Sequence, residues 1–86
     1  MSEKSDISVK VIIGNEDYVI SGGDSEDAML EMAEHVDRHV TALGNRFPTM
    51  PRHRLMVMAA LNIAEELFAL KREYADLINL IESEVK

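Results

Sequence analysis

From residue 7 to residue 13 the chain reads ISVKVII, with Ile7, Val9, Val11 and Ile13 on one face of an extended segment and Ser8 and Lys10 on the other. This period-two alternation predicts a strand. Gly14 and Asn15 in GNED suit a tight turn and YVIS resumes a β-prone run, so residues 7–21 are expected to form a hairpin. A lone hairpin is unstable in water, and its apolar face needs a helix or a further sheet to lie on. Gly22 and Gly23 break the strand, Asp24 or Ser25 can cap a helix, and Glu26 and Asp27 suit its positive dipole end. Met29, Met32, Ala33, Val36, Val40, Leu43 and Phe47 then recur every three or four residues, while Glu31, Glu34, Asp37 and Arg38 occupy other faces. Gly44 and Asn45 are expected to end this amphipathic helix. Pro48 and Pro51 bracket a linker, and Thr49 is expected to cap the next helix.

The second helix is expected from about Met50 to near the C-terminus. Its opening stretch, LMVMAALNIAEELFAL, is too apolar for one face of a surface helix, yet Asn62, Glu65 and Glu66 interrupt it too often for a membrane span. Up to Phe68 the expected arrangement packs one side on the first helix and hairpin and another on a second copy of the chain. Further on the pattern narrows to a seam. Met56, Ala60, Ile63, Leu67, Leu70, Tyr74, Leu77 and Ile81 are spaced 4, 3, 4, 3, 4, 3, 4, the heptad repeat of a coiled coil. At about 1.5 Å per residue this helix spans about 50 Å against about 30 Å for the first, so its tail overhangs its own domain. Leu70, Tyr74, Leu77 and Ile81 then lack intrachain partners, and each large side chain left in water forgoes about 1.5–3 kcal/mol. Self-association is the expected remedy. Ile78 and Leu80, at e and g, widen the apolar face toward a bundle of more than two helices.

The fold class is therefore α+β: an N-terminal β-hairpin, an amphipathic helix, then a long C-terminal helix forming an intermolecular coiled coil. Residues 1–6 are expected to be a disordered N-terminus, 7–47 the head, and 48–86 the linker and long helix.

Composition narrows the function. With 86 residues the chain is one domain at most, and its core is small enough that a partner should add stability. It has no cysteine, which removes disulfides and thiolate metal sites. The start, MSEKSD, lacks a basic segment followed by an apolar run, so no signal peptide is read and a soluble cytosolic protein is expected. A net charge of −7 opposes sequence-blind attraction to nucleic acid or an anionic membrane, and neither is an expected partner.

Motifs for chemistry are sparse. His35 and His39 stand four apart, with Glu31 a turn earlier, but no HExxH or cysteine accompanies them and they are read as solvated flank residues. Gly22-Gly23 lacks GK[ST] or GxGxxG, and no serine has a nucleophile's surroundings. No catalytic residue, metal or cofactor is expected. Asn62 has two readings, a partly exposed amide of no consequence or a hydrogen-bonding group that fixes one register across an interface or against the hairpin. Arg52, His53 and Arg54 lie in the first turn of the second helix, where the dipole disfavours cations, and they have two readings, a solvated run of surface charge or a partner surface that Arg38 and Arg46 could extend.

The string RLMVMAALNIAEEL resembles the ZapA family of bacterial cell-division proteins, whose second helix opens with a segment of the form (R)LxxxAALNIxxEL. Arg54, Leu55, Ala59, Ala60, Leu61, Asn62, Ile63, Glu66 and Leu67 match it. VKVIIG and AEHVDRHV are similar to the family's first strand and first helix. The resemblance implies dimerisation through the heads, pairing of dimers into tetramers through coiled coils, and a cytoplasmic place at the division site. It also implies binding to the tubulin-like protein FtsZ, whose filaments such proteins align. FtsZ is generally acidic, so Arg38, Arg46, Arg52 and Arg54 are the nominated contacts; of these only Arg54 falls in the motif. Met56, Ala60, Asn62, Ile63, Leu67, Leu70, Tyr74, Leu77 and Ile81 are the nominated oligomerisation residues. Two alternatives are a ribbon-helix-helix-like DNA-binding dimer, and a generic coiled-coil adaptor with another partner.

Overall fold

The computed structural model describes residues 8–22 and 25–85. Strand β1 (Ser8–Ile13) pairs antiparallel with β2 (Glu16–Ser21), and helices α1 (Glu26–Arg46) and α2 (Arg52–Val85) follow. The expected N-terminal disorder, and the parts assigned to Ile7 and Asp24, lie outside the described residues. Gly14 (φ 59°) and Asn15 (φ 70°) both take the left-handed conformation, as a two-residue hairpin turn requires. In the resulting register Val9 faces Ile20 and Val11 faces Tyr18. Ser8, Lys10 and Ile12 are exposed on the opposite face. β1 thus has its partner strand within the chain, unlike the single strand that precedes the helices of a ribbon-helix-helix protein.

Two apolar clusters hold these elements together. Val9 and Val11 are buried against Met29 and Ala33 of α1, with Ile13, Tyr18 and Ile20 at the margin. Val40 and Leu43 of α1 are buried against Ala59 of α2, with Val36, Phe47, Leu55, Met56 and Met58 around them. Ile13 touches both clusters and links the hairpin to the helix pair. Among the described residues no polar side chain is buried, and the buried apolar set numbers only seven. So small a core leaves a domain marginal by itself.

Ser25, one of the two caps expected, caps α1, its Oγ accepting from Ala28 N–H at 3.1 Å. Local chemistry departs from expectation at three places. Gly44 and Asn45 do not stop the helix, which continues to Arg46 because Phe47 N–H still reaches Leu43 C=O at 2.8 Å and Phe47 packs on the second cluster. Pro48 makes the stop by restricting the residue before it. Thr49 lies in a turn closed by Met50 N–H to Phe47 C=O, and α2 starts at Arg52, with Pro51 C=O accepting from Arg54 and Leu55. Met32 is exposed: Met29 and Ala33 turn toward the hairpin, leaving Met32 to line a shallow groove with Val36 and Ile63.

The 34-residue α2 is unbroken, and its length, about 50 Å at helical rise, sets the 53 Å longest dimension of the molecule. Residues 70–85 are all exposed. No helix among the described residues is long and apolar enough to cross a membrane.

Candidate functional site

The loop between the strands is tied to both helices by charge. Asp37 of α1 accepts from Gly14 N–H at 2.7 Å. Arg52, at the start of α2, donates to Ile13 C=O at 2.7 Å and to Gly14 C=O at 2.9 Å. Its Nε lies 3.3 Å from Glu16 Oε1, close enough for an ion pair though not aligned as a hydrogen bond. The cation that sequence placed on a free surface is therefore a clamp, its half-buried guanidinium donating to two backbone carbonyls at the hairpin turn. Bonds to a charged donor are worth about 1.5–3 kcal/mol each. Arg52→Gln is expected to lower stability by about 2 kcal/mol; chemical denaturation at fixed protein concentration measures it, and a midpoint equal to wild type would show the clamp to be idle.

The other basic residues keep their access to solvent. Arg38 is exposed, with Nη1 3.5 Å from Glu34 and Nη2 donating to His35 Nδ1 at 3.3 Å. Arg46 stacks on the Phe47 ring, 5.1 Å from its centroid. Arg54 is exposed beside a shallow groove lined by Met50, His53, Val57 and Met58. Arg46 and Arg54 thus flank the α1–α2 turn, while Arg38 stands two turns back along α1.

The two histidines are not idle flank residues. His35 Nε2 and His39 Nε2 donate to opposite oxygens of Glu66, at 2.8 and 3.0 Å. The hydrogen bond from His35 is the main cause that holds the Glu66 carboxyl below its ordinary pKa; desolvation opposes it and the bond from His39 adds to it. Glu31 lines the groove with Met32 and takes no part in the triad. The chain folds back at Pro48–Pro51, so residues at similar distances from that turn face each other, and this symmetry is the signal that could have brought the sixties of α2 to His35 and His39.

Along the seam, Met56 packs on the head's own core and Ile63 and Asn62 are half-buried. Ala60, Leu67, Leu70, Tyr74, Leu77 and Ile81 are exposed, with Leu70 63% and Tyr74 67% accessible. Leu67, Leu70, Lys71 and Tyr74 form one continuous, mainly apolar surface.

A braced hairpin-and-helix head, continued by a rod whose apolar seam faces solvent, defines a small protein of the kind built for association. The chain belongs to the ZapA family of cell division proteins, with the family pattern described as Cell division protein ZapA matching residues 9–86. It is 30% identical over 84 residues to a cell division protein ZapA of Geobacillus sp. (strain WCH70), covering 98% of this chain and 97% of that one. It is 34% identical over 74 residues to the ZapA of Geobacillus thermodenitrificans (strain NG80-2), covering 86% and 81%. Among solved structures, a ZapA mutant dimer from Geobacillus stearothermophilus superimposes with a TM-score of 0.69 at 30% identity over 95% of each chain.

Proposed function

We propose that this chain dimerises, pairs further through its α2 tails, binds FtsZ filaments with its heads and cross-links them at the division site in the cytoplasm. The carrying observation is the overhang: residues 70–85 are exposed while Leu70, Tyr74, Leu77 and Ile81 keep a heptad seam. A symmetric assembly presents identical heads, and once one head is on a filament the next contact is intramolecular. Weak individual heads then suffice for bundling. Asn62, half-buried in the single chain, has its register-fixing role only in the assembly.

Arg38, Arg46 and Arg54 are the proposed contacts to the acidic filament, and Arg52 serves them by holding the hairpin against the start of α2. Co-sedimentation of polymerised FtsZ, with light scattering to report bundling, tests the reading. The wild-type chain should pellet with filaments and raise scattering. Arg46→Glu with Arg54→Glu should reduce bundling at least tenfold with the mass in solution unchanged; wild-type bundling by that variant would remove the patch from the site. A stable oligomer that ignores FtsZ altogether would return the function to an adaptor with another partner.

A further inference from the structure

His35 and His39 are successive-turn neighbours on α1, their ring centroids 5.1 Å apart and their planes at 72°. Both Nε2 atoms aim at one carboxylate on the other helix, and one ligand atom from each of His35, His39 and Glu66 lies within 4.8 Å of the others. Zinc bonded to nitrogen and oxygen at about 2.0–2.2 Å sets tetrahedral ligand atoms about 3.3 Å apart. The separations of 2.8 and 3.0 Å between histidine and carboxylate are already near that length. The remaining adjustment is a closing of the two imidazoles on each other, by side chains that retain access to solvent.

We propose that His35, His39 and Glu66 form a binding site for a zinc-class divalent transition-metal ion that bridges α1 and α2, with the fourth position left to water. Two imidazoles select this class over magnesium or calcium, which prefer all-oxygen shells. The ion takes the Nε2 lone pairs, so each imidazole must carry its proton on Nδ1. For His35 this displaces Arg38, which now donates to Nδ1 and has Glu34 at 3.5 Å as its other partner. Arg38 is thus a competing cation at the mouth of the site. The bridge lies just before Leu67 and Leu70, where α2 leaves the head, so an ion there fixes the direction in which the tail emerges.

The test uses the tag-free full-length chain, stripped with chelator, titrated with Zn²⁺ by calorimetry and with Co²⁺ by visible absorption. One ion per chain, the d–d bands of tetrahedral Co²⁺, and a thermal midpoint raised by Zn²⁺ are expected. His39→Gln and Glu66→Gln should each weaken binding at least tenfold and abolish the shift, His53→Gln should change neither, and Arg38→Gln should tighten binding. Zn²⁺ should also shift the side-chain resonances of His35 and His39 and spare those of His53 in the wild-type chain, a readout that does not depend on any variant folding. Absence of binding at millimolar Zn²⁺, affinity unchanged in the His39 and Glu66 variants, or resonance shifts centred on His53 would overturn the proposal.

Discussion

Gly14→Ala should be among the most damaging single-methyl changes this chain can suffer. The added Cβ would stand 2.8 Å from Val40 Cγ1 and 3.0 Å from Arg52 Nη2, at a backbone φ of +59°. Left-handed backbone costs a residue with a Cβ about 1–2 kcal/mol. Forcing a methyl into a packed contact adds about 1–3 kcal/mol, here by pushing Val40 out of its cluster and the Arg52 fork off the turn carbonyls. The sum, about 2–5 kcal/mol, is a large fraction of the stability of a small domain and should lower the thermal midpoint by about 8–40 °C. Thermal unfolding at fixed protomer concentration measures it, since association raises apparent stability. Gly44→Ala is the matched comparison: this helical glycine would place its Cβ 3.7 Å from Leu55 Cδ1, an ordinary contact. That change should be neutral or stabilising by up to about 1 kcal/mol. Equal midpoints for the two variants would mean that the turn does not need its glycine.

The second large effect is expected at Leu70. In a two-fold assembly Leu70→Glu enters the seam twice, each copy losing about 1.5–3 kcal/mol of burial and bringing a carboxylate toward an apolar interface. About 4 kcal/mol in total corresponds to about a thousandfold in the dissociation constant. Light scattering through a dilution series should show the variant at a lower mass than wild type at every concentration where the wild type is assembled. Arg72→Glu, two residues on and off the seam, should leave the mass unchanged. A Leu70→Glu chain that retains the wild-type mass would refute the role given to the overhang.

What could be read in the sequence was local or periodic. The alternation from Val9 to Ile13, the Gly14-Asn15 turn and the three-and-four spacing of α1 each depend on neighbours within a few residues, and each appears in the structure. The overhang was legible because helix length follows from a count. The misreadings have tertiary causes. Gly44 and Asn45 look like a stop, but Leu43 and Phe47 pack on Ala59 and carry the helix past them. Arg52 looked like a surface cation because its partners, Ile13 and Gly14, are nearly half the chain away. The link from His35 and His39 to Glu66 was hidden for the same reason, since nothing within either helix reports which residue of the other it will meet.

The continuity of α2 has a consequence for spacing. Ala59 belongs to the head core and Leu70 to the seam, yet one uninterrupted helix carries both, so head and tail cannot turn independently. The tail acts as a ruler with a phase. Seven residues inserted beyond Leu70 would move anything attached there by about 10 Å with only about 20° of net rotation, whereas three or four would rotate it by about 40–60° for half the distance. Tail length in such a molecule is therefore free to change in whole heptads, and any other step would aim the heads of an assembly in a new direction.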